Sequence, residues 1–456
     1  MAVDRSRLPA LGPTPVFHFP TIVRHVLPNG LDVRTVEHSR APVVAMSVLV
    51  RAGLGADAAG QEGLAALTAD MLDEGVGDLT AIDISDALAR IGGDYDVNVG
   101  TDATVLSLVT LSRMAEKAGR LFSSIVIEPA LRNDDLQRVR QQRLDRLAQL
   151  KSHPHALAEY AFERALYGTH PYGHLAIGST ASLTSLSAEH VRGFHLSAFK
   201  PEQTTLVLVG ALSHDELRAL GERYFGQWSS NDTSDVQQAS QIAPPTRALV
   251  QRAIVPRAGA AQSELRIGHL SARRDTPDYS ALLVMNAVLG GQFASRVNLK
   301  LREEKGFTYG ASTGFDWRRG LAPFSLDASV HTAATAEAIT DSVAELEGIR
   351  GSRPPTPDEM LLAKVSLVRG YPRGFETAEQ VARAVASLAL HELPDTYFEE
   401  FAPKVEAVTD VDVIRVANQY IDPERLTTLV VGDHGAIGPS LDALGWGDWI
   451  VQEIDL

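Results

Sequence analysis

The chain has 456 residues and a formal charge of −15, from 42 lysines and arginines against 57 aspartates and glutamates. That acidity, without a long basic run, excludes binding nucleic acid through its phosphates. The absence of cysteine excludes disulfides, thiolate zinc sites, iron–sulfur clusters and a cysteine nucleophile.

A 45% hydrophobic share is ordinary globular composition, and the length predicts two to four domains of roughly 100–200 residues. The opening MAVDRSRLPALGPTPVF carries two arginines, three prolines and no continuous apolar stretch, so it does not read as a signal peptide. A cytoplasmic protein is expected as written, or a periplasmic one if a leader has been removed. Apolar windows such as Val43–Val50 are far too short to cross a bilayer, so no membrane span is expected.

In chain order, Leu31–Val36 and Val43–Val50 read as strands joined by a polar turn, His38 to Pro42. Gly63–Leu72 follows as a helix with Leu64, Leu67, Met71 and Leu72 near one face. A second helix, Ala81–Ile91, stops at Gly92-Gly93, and a strand follows at Thr104–Leu111. Arg113–Ile125 and Asp134–Lys151 read as longer helices, and His153-Pro-His155 as a helix-ending turn. Asp70, Asp73 and Glu74 read as a solvated helix end. Pro171 and Gly173 make the His170/His174 pair a loop rather than a metal-binding helix face. Further on, Ser263–Leu270 reads as a strand, Tyr279–Leu289 as a helix, and Tyr309–Asp316 and Phe324–Val330 as strands. Helices then start at Thr335 and Asp358.

The ends of the two halves match. Residues 191–210, VRGFHLSAFKPEQTTLVLVG, and 413–432, VIRVANQYIDPERLTTLVVG, share a helix end, Pro-Glu, Thr-Thr and an apolar strand closing on glycine. The spacing of about 222 residues, close to half the chain, predicts a duplication. Strands and helices segregate, so the class is α+β: two homologous domains, each a mostly antiparallel sheet covered by helices. The polar stretch Ser229–Pro245, ending in Pro-Pro, reads as the linker. The expected domains are therefore 1–228 and 246–456, joined by 229–245.

Several strings carry a resemblance. Pro28-Asn-Gly-Leu31 opens the first hairpin and Gly63-Leu-Ala65 starts a helix. His170-Pro-Tyr-Gly173 is followed by Gly178, and Leu301-Arg-Glu-Glu-Lys-Gly-Phe-Thr-Tyr309 lies in the second half. In order, spacing and duplication the chain resembles the pitrilysin/insulysin metallopeptidase family, in particular its branch related to the mitochondrial processing peptidase. The resemblance covers nearly the whole chain and implies two homologous α+β domains, with paired chains enclosing a chamber.

Active members carry His-x-x-Glu-His on the helix after the second strand. Two histidines at i and i+4 bind one Zn²⁺, and the glutamate serves as general base. Here Ala66 stands for the first histidine, Ala69 for the glutamate and Asp70 for the second histidine. A methyl group offers no lone pair. The family's third ligand, a glutamate about 80 residues on, aligns with Arg146, which also has none. No cofactor is therefore expected in this chain.

The family's second half supplies an arginine and a tyrosine seven residues apart, matched by Arg302 and Tyr309. By themselves, Arg302 to Lys305 read as an exposed helix end stopped by Gly306, and Tyr309 as the start of a strand. The resemblance implies instead a catalytic pair that binds substrate carbonyls and stabilises an oxyanion. It also implies that the chain is the non-zinc subunit of a heterodimeric metallopeptidase, inactive alone. Its partners would be a homologous His-x-x-Glu-His subunit holding the zinc, and a peptide substrate lying along a sheet edge. Phe293, Phe307, Phe315 and Trp317 could line substrate pockets or belong to the core. The alternative is an inert scaffold subunit of the same fold.

Overall fold

The computed structural model describes residues 12, 17–230, 239–244, 248 and 250–454. The strands of the first half are β1 (Ile22–Val26), β2 (Asp32–Glu37), β3 (Val43–Val50), a short hairpin β4 (Gly75–Val76) and β5 (Leu79–Thr80), β6 (Asp94–Val99), β7 (Thr104–Leu111) and β8 (Thr204–Gly210). Those of the second are β9 (Arg252–Pro256), β10 (Gln262–Leu270), β11 (Thr308–Phe315), β12 (Pro323–His331), β13 (Thr427–Gly432) and β14 (Ile450–Val451). The first sheet runs β1-β2-β8-β3-β7-β6 and the second β14-β9-β13-β10-β12-β11, so one strand order occurs twice. Most neighbours are antiparallel; β2–β8, β9–β13 and β9–β14 are parallel. In strand direction the two six-stranded sheets differ at one edge, where the N-terminal β1 is antiparallel to its neighbour and the C-terminal β14 is parallel.

Strand β3 is buried from Val44 to Val50 because helices cover both faces of its sheet. One face packs on helices of its own half, including Ala115–Ile127 and Ala188–Ala198. The other is covered by a helix of the opposite half. Val381, Ala382, Val385 and Ala386 of the helix Ala378–Leu390 lie on Val36, Ala45, Val207 and Val209. Reciprocally, Leu157, Ala158, Ala161 and Phe162 of the helix Pro154–Tyr167 lie on Ala253, Val255, Leu429 and Val431. Burying each such Val or Leu contributes roughly 1.5–3 kcal/mol, so each half depends on the helix it receives.

These exchanged helices start differently. Thr377 caps the first with a capping box to Gln380, whereas Pro154 opens the second with no side-chain cap. The turn at His153 and Pro154 thus begins a helix as well as following one, which corrects the reading of it as a helix-ending turn. Proline fits both places because its missing N–H is an orphan at a helix start.

The His170-Pro-Tyr-Gly173 string is a joint between halves. Tyr172 donates its hydroxyl to Asp102, whose other oxygen accepts the Arg319 amide at 2.7 Å. Tyr167 donates to the Leu321 carbonyl at 2.6 Å, and His170 Nε2 lies 3.1 Å from the Ile242 carbonyl. Arg318 is buried against Glu163 at 2.7 Å and Asp316 at 2.6 Å, over the Tyr167 ring. Part of the expected linker is therefore packed rather than free, since Ala239 is buried and Ile242 is bonded. Residues 231–238 and 245 of that stretch lie outside the described residues.

Candidate functional site

The helix Leu64–Asp70 begins at Gly63, whose φ of 91° suits glycine. A Cβ there would meet the Gly178 Cα at 2.8 Å, and one on Gly178 would meet the Glu62 carbonyl oxygen at 2.4 Å. This contact explains why two distant glycines belong to one pattern. Asp57, fully buried, accepts the amides of Gly63 and Ala65, both at 2.7 Å, and so satisfies orphan donors of the helix start. Burial pushes its carboxyl up to about 7, with the two amide bonds opposing. His174 Nε2 lies 3.8 Å from it, and burial lowers the pKa of that imidazole.

Ala66 and Ala69 are buried in the helix. Asp70 turns its carboxylate to Arg143, with Oδ2 2.5 Å from the guanidinium. Arg143, itself buried, also donates to the Ala176 carbonyl at 2.6 Å. Both it and Arg146 belong to the helix Asn133–Leu150, three residues apart on one face. Arg146 lines the same cleft of about 380 Å³, with Asp70, Asp73 and Tyr95, but the bond to Asp70 comes from Arg143.

The carboxylates at the end of the helix are only in part the solvated end expected: Asp70 is exposed and Asp73 and Glu74 are half-buried. Asp70 pairs with Arg143 and Glu74 with Arg138. Burial pushes the Asp73 carboxyl up, and the charges of Glu74 and Asp70 add to that. Such a donor set does not fit zinc, which takes three or four N, S or O ligands. The helix offers two methyls and one carboxylate already neutralised by a guanidinium. Among the described residues no group of three or more His, Asp or Glu is placed to hold a metal ion.

In the second half, Arg302 lies on a π-helical turn, Leu299–Glu304, and Tyr309 on the edge strand β11. π-Turns and bulges both recur where a side chain must be re-aimed. The register between β11 and β12 shifts between Thr308 and Ala311, and the Thr308 hydroxyl donates to the Gly310 carbonyl at 2.8 Å. Tyr309 is 88% exposed. The Arg302 guanidinium sits 4.5 Å from the ring centroid of Phe293, also exposed, and its Nε lies 3.4 Å from Glu303. Buried Asn298 ties the pieces together. Its Nδ2 donates to the Phe293 carbonyl at 2.7 Å, and its Oδ1 accepts the Ala311 amide at 3.1 Å. Nothing in the sequence around Asn298, which lies between Arg296 and Lys300, singles it out as such a clamp.

Of the four aromatic candidates, Phe307, Phe315 and Trp317 pack against the second core, with Phe315 stacked on Trp317 at 4.8 Å. Phe293 alone of these is exposed. The structure thus gathers Ala66, Ala69, Asp70 and Arg146 at one cleft of the first half. It places Arg302 and Tyr309 together in the second.

Two family models match this chain: the insulinase-type peptidase family M16 over residues 33–179, and the peptidase M16 inactive domain over residues 185–367. An uncharacterised zinc protease of Mycobacterium leprae is 25% identical over 422 residues, covering 91% of this chain and 92% of the relative. One of Mycobacterium tuberculosis H37Rv is 26% identical over 423 residues, 91% and 93% of the two chains. The crystal structure of a peptidase M16 inactive domain from Pseudomonas fluorescens has a TM-score of 0.83 at 25% identity, over 90% of this chain and 98% of that one. A protease from Helicobacter pylori shares the fold, with a TM-score of 0.82 at 19% identity, over 91% of this chain and 100% of that one. With the repeated sheets and the glycine contact at the helix start, these matches make the chain a two-domain member of the M16 peptidase family.

Proposed function

We propose that this chain is the non-zinc subunit of a heterodimeric M16 peptidase. It carries Arg302 and Tyr309 to peptide held at the site of a homologous partner that has His-x-x-Glu-His. The observation that carries this reading is the contrast between the two sites. Asp70 is tied to Arg143 where a metal ligand would stand, while Arg302 and Tyr309 remain accessible on a braced turn and bulge. The match to an M16 inactive domain, over residues that include both, supports it.

In this reading the Tyr309 phenol donates to the oxygen on which charge develops as the peptide carbonyl is attacked. The Arg302 guanidinium, held over Phe293, donates to substrate carbonyls, and its rigid fork fixes their direction. An extended peptide would pair along a sheet edge of the complex; on β11 itself the Ala311 and Thr313 amides are already taken by Asn298 and the Gly290 carbonyl.

The test is to purify this chain alone and with a homologous His-x-x-Glu-His subunit from the same source, and to assay peptide cleavage. The complex is expected to cleave and the lone chain not. Tyr309→Phe and Arg302→Ala should each lower turnover by on the order of 10²-fold, the effect of removing one oxyanion donor, without loss of assembly by gel filtration. Full activity in both variants would replace this reading with the inert scaffold. Cleavage by the lone chain that survives chelation would remove the subunit reading altogether.

A further inference from the structure

The repeated register allows residue-by-residue comparison of the sheet faces under the exchanged helices. Ser47 pairs with Val207 on one side and Ser107 on the other. Arg266 pairs with Leu429 and Asp327 in the same places of the second sheet. The helices match too, Pro154 with Ala378 at the first position and so His155 with Glu379. In the second half this corner is filled. Arg266 is buried, 3.0 Å from Asp327, with His155 Nδ1 at 2.8 Å. In the first half the arginine and its carboxylate are both serines, and a cavity of about 360 Å³ opens there.

We infer that this cavity is a binding pocket for the guanidinium side chain of a peptide arginine. Its apolar wall is Ala45, Val105 and Ala382, which suits the methylene stem. Ser47 and Ser107 form the floor where Arg266 and Asp327 lie in the other half. Ser47 is only 3% exposed and lines the cavity, so its hydroxyl offers an acceptor to a donor that enters it. At the mouth stand two carboxylates, Asp96 and Glu379. Glu379 shares its charge with Arg383 at 2.6 Å, and Arg383, 74% exposed, lines the cavity one helical turn further on. Two negative charges against one positive leave the pocket with a net charge that one cation balances. Asp96 lies on β6, a sheet-edge strand, so a peptide paired along that edge would have the pocket beside it. The pocket is separate from Arg302 and Tyr309 and needs neither them nor a partner subunit.

The experiment measures binding to the isolated full chain by calorimetry, with blocked Ala-Arg-Ala and its citrulline and norleucine counterparts. The arginine peptide is expected to bind and both counterparts to be roughly tenfold or more weaker, since they lose the charge-assisted hydrogen bonds. Asp96→Asn, on an exposed edge, should weaken the arginine peptide by a similar factor. The double variant Ser47→Arg with Ser107→Asp, which rebuilds the second half's pair, should abolish binding by filling the pocket. Equal affinity for the citrulline peptide, no binding of the arginine peptide up to millimolar concentration, or unchanged binding in Asp96→Asn would each overturn the inference. If the double variant does not fold, the Asp96→Asn and citrulline results decide.

Discussion

The two halves share a strand order and differ in the segments that connect their strands. In the first, a short helix, Leu64–Asp70, ends in an acid that is tied to Arg143. In the second, the corresponding helix, Tyr279–Leu289, is longer and almost wholly apolar, and the exposed Arg302 and Tyr309 come after it on a π-turn and a bulged edge strand. The same contrast runs under the exchanged helices, where Arg266 fills a corner that Ser47 leaves open. A duplicated scaffold keeps its sheet because burial on both faces tolerates little change. Its helix ends and strand edges are free to diverge.

The greatest loss is expected from breaking the joint that makes the comparison possible. Arg318→Ala leaves Glu163 and Asp316 without their buried cation and should cost about 3–5 kcal/mol in urea denaturation. If the halves held together without this joint, the loss would be within error. The apolar pairs Val207/Val385 and Leu429/Phe162 would then carry the interface alone.

A smaller effect separates the halves by pH. The Asp57 carboxyl, raised from 3.8 to about 7 by burial, binds its proton more tightly in the folded protein than in the unfolded chain. That contribution is fully present below pH about 4 and is lost as pH rises through 7. Asp57→Asn should flatten this slope in stability against pH, at a constant cost of about 1–3 kcal/mol for the amide left unpaired. A slope unchanged in Asp57→Asn would assign the pH dependence elsewhere.

The mildest change sharpens the difference between the exchanged helices. Thr377→Ala removes a capping box and should cost about 1 kcal/mol by thermal unfolding. His153→Ala, at the start of the other helix, removes no side-chain cap and should be near neutral.

Much of this was legible along the chain. Val43–Val50, Ala81–Ile91, Thr104–Leu111 and Tyr279–Leu289 occupy the ranges their periodicity predicts, because apolar spacing and glycine stops act locally. Less visible were β6, whose alternating DYDVNV is short and acidic, and the helix Pro154–Tyr167, whose first turn looks like an end. At the cleft, the resemblance to the family pointed to Arg146, whereas the bond to Asp70 comes from Arg143. Residues three apart share a helix face, so spacing alone cannot choose between them. Asn298 was missed because its two partners, Phe293 and Ala311, meet only when the turn folds back on β11.

Residue order was enough to give the α+β class, the repeat of the closing strand and the family, and it puts Ala66, Ala69 and Asp70 on the helix after the second strand. These rest on residue identity and on spacing within one element. It took the folded chain to establish that each half lends a helix to the other's sheet, that Asp70 belongs to Arg143, and that Ser47 stands in the place of Arg266. Each of those depends on which segments approach one another and in what register. That is a matter of packing between distant stretches of chain, and local propensity does not encode it.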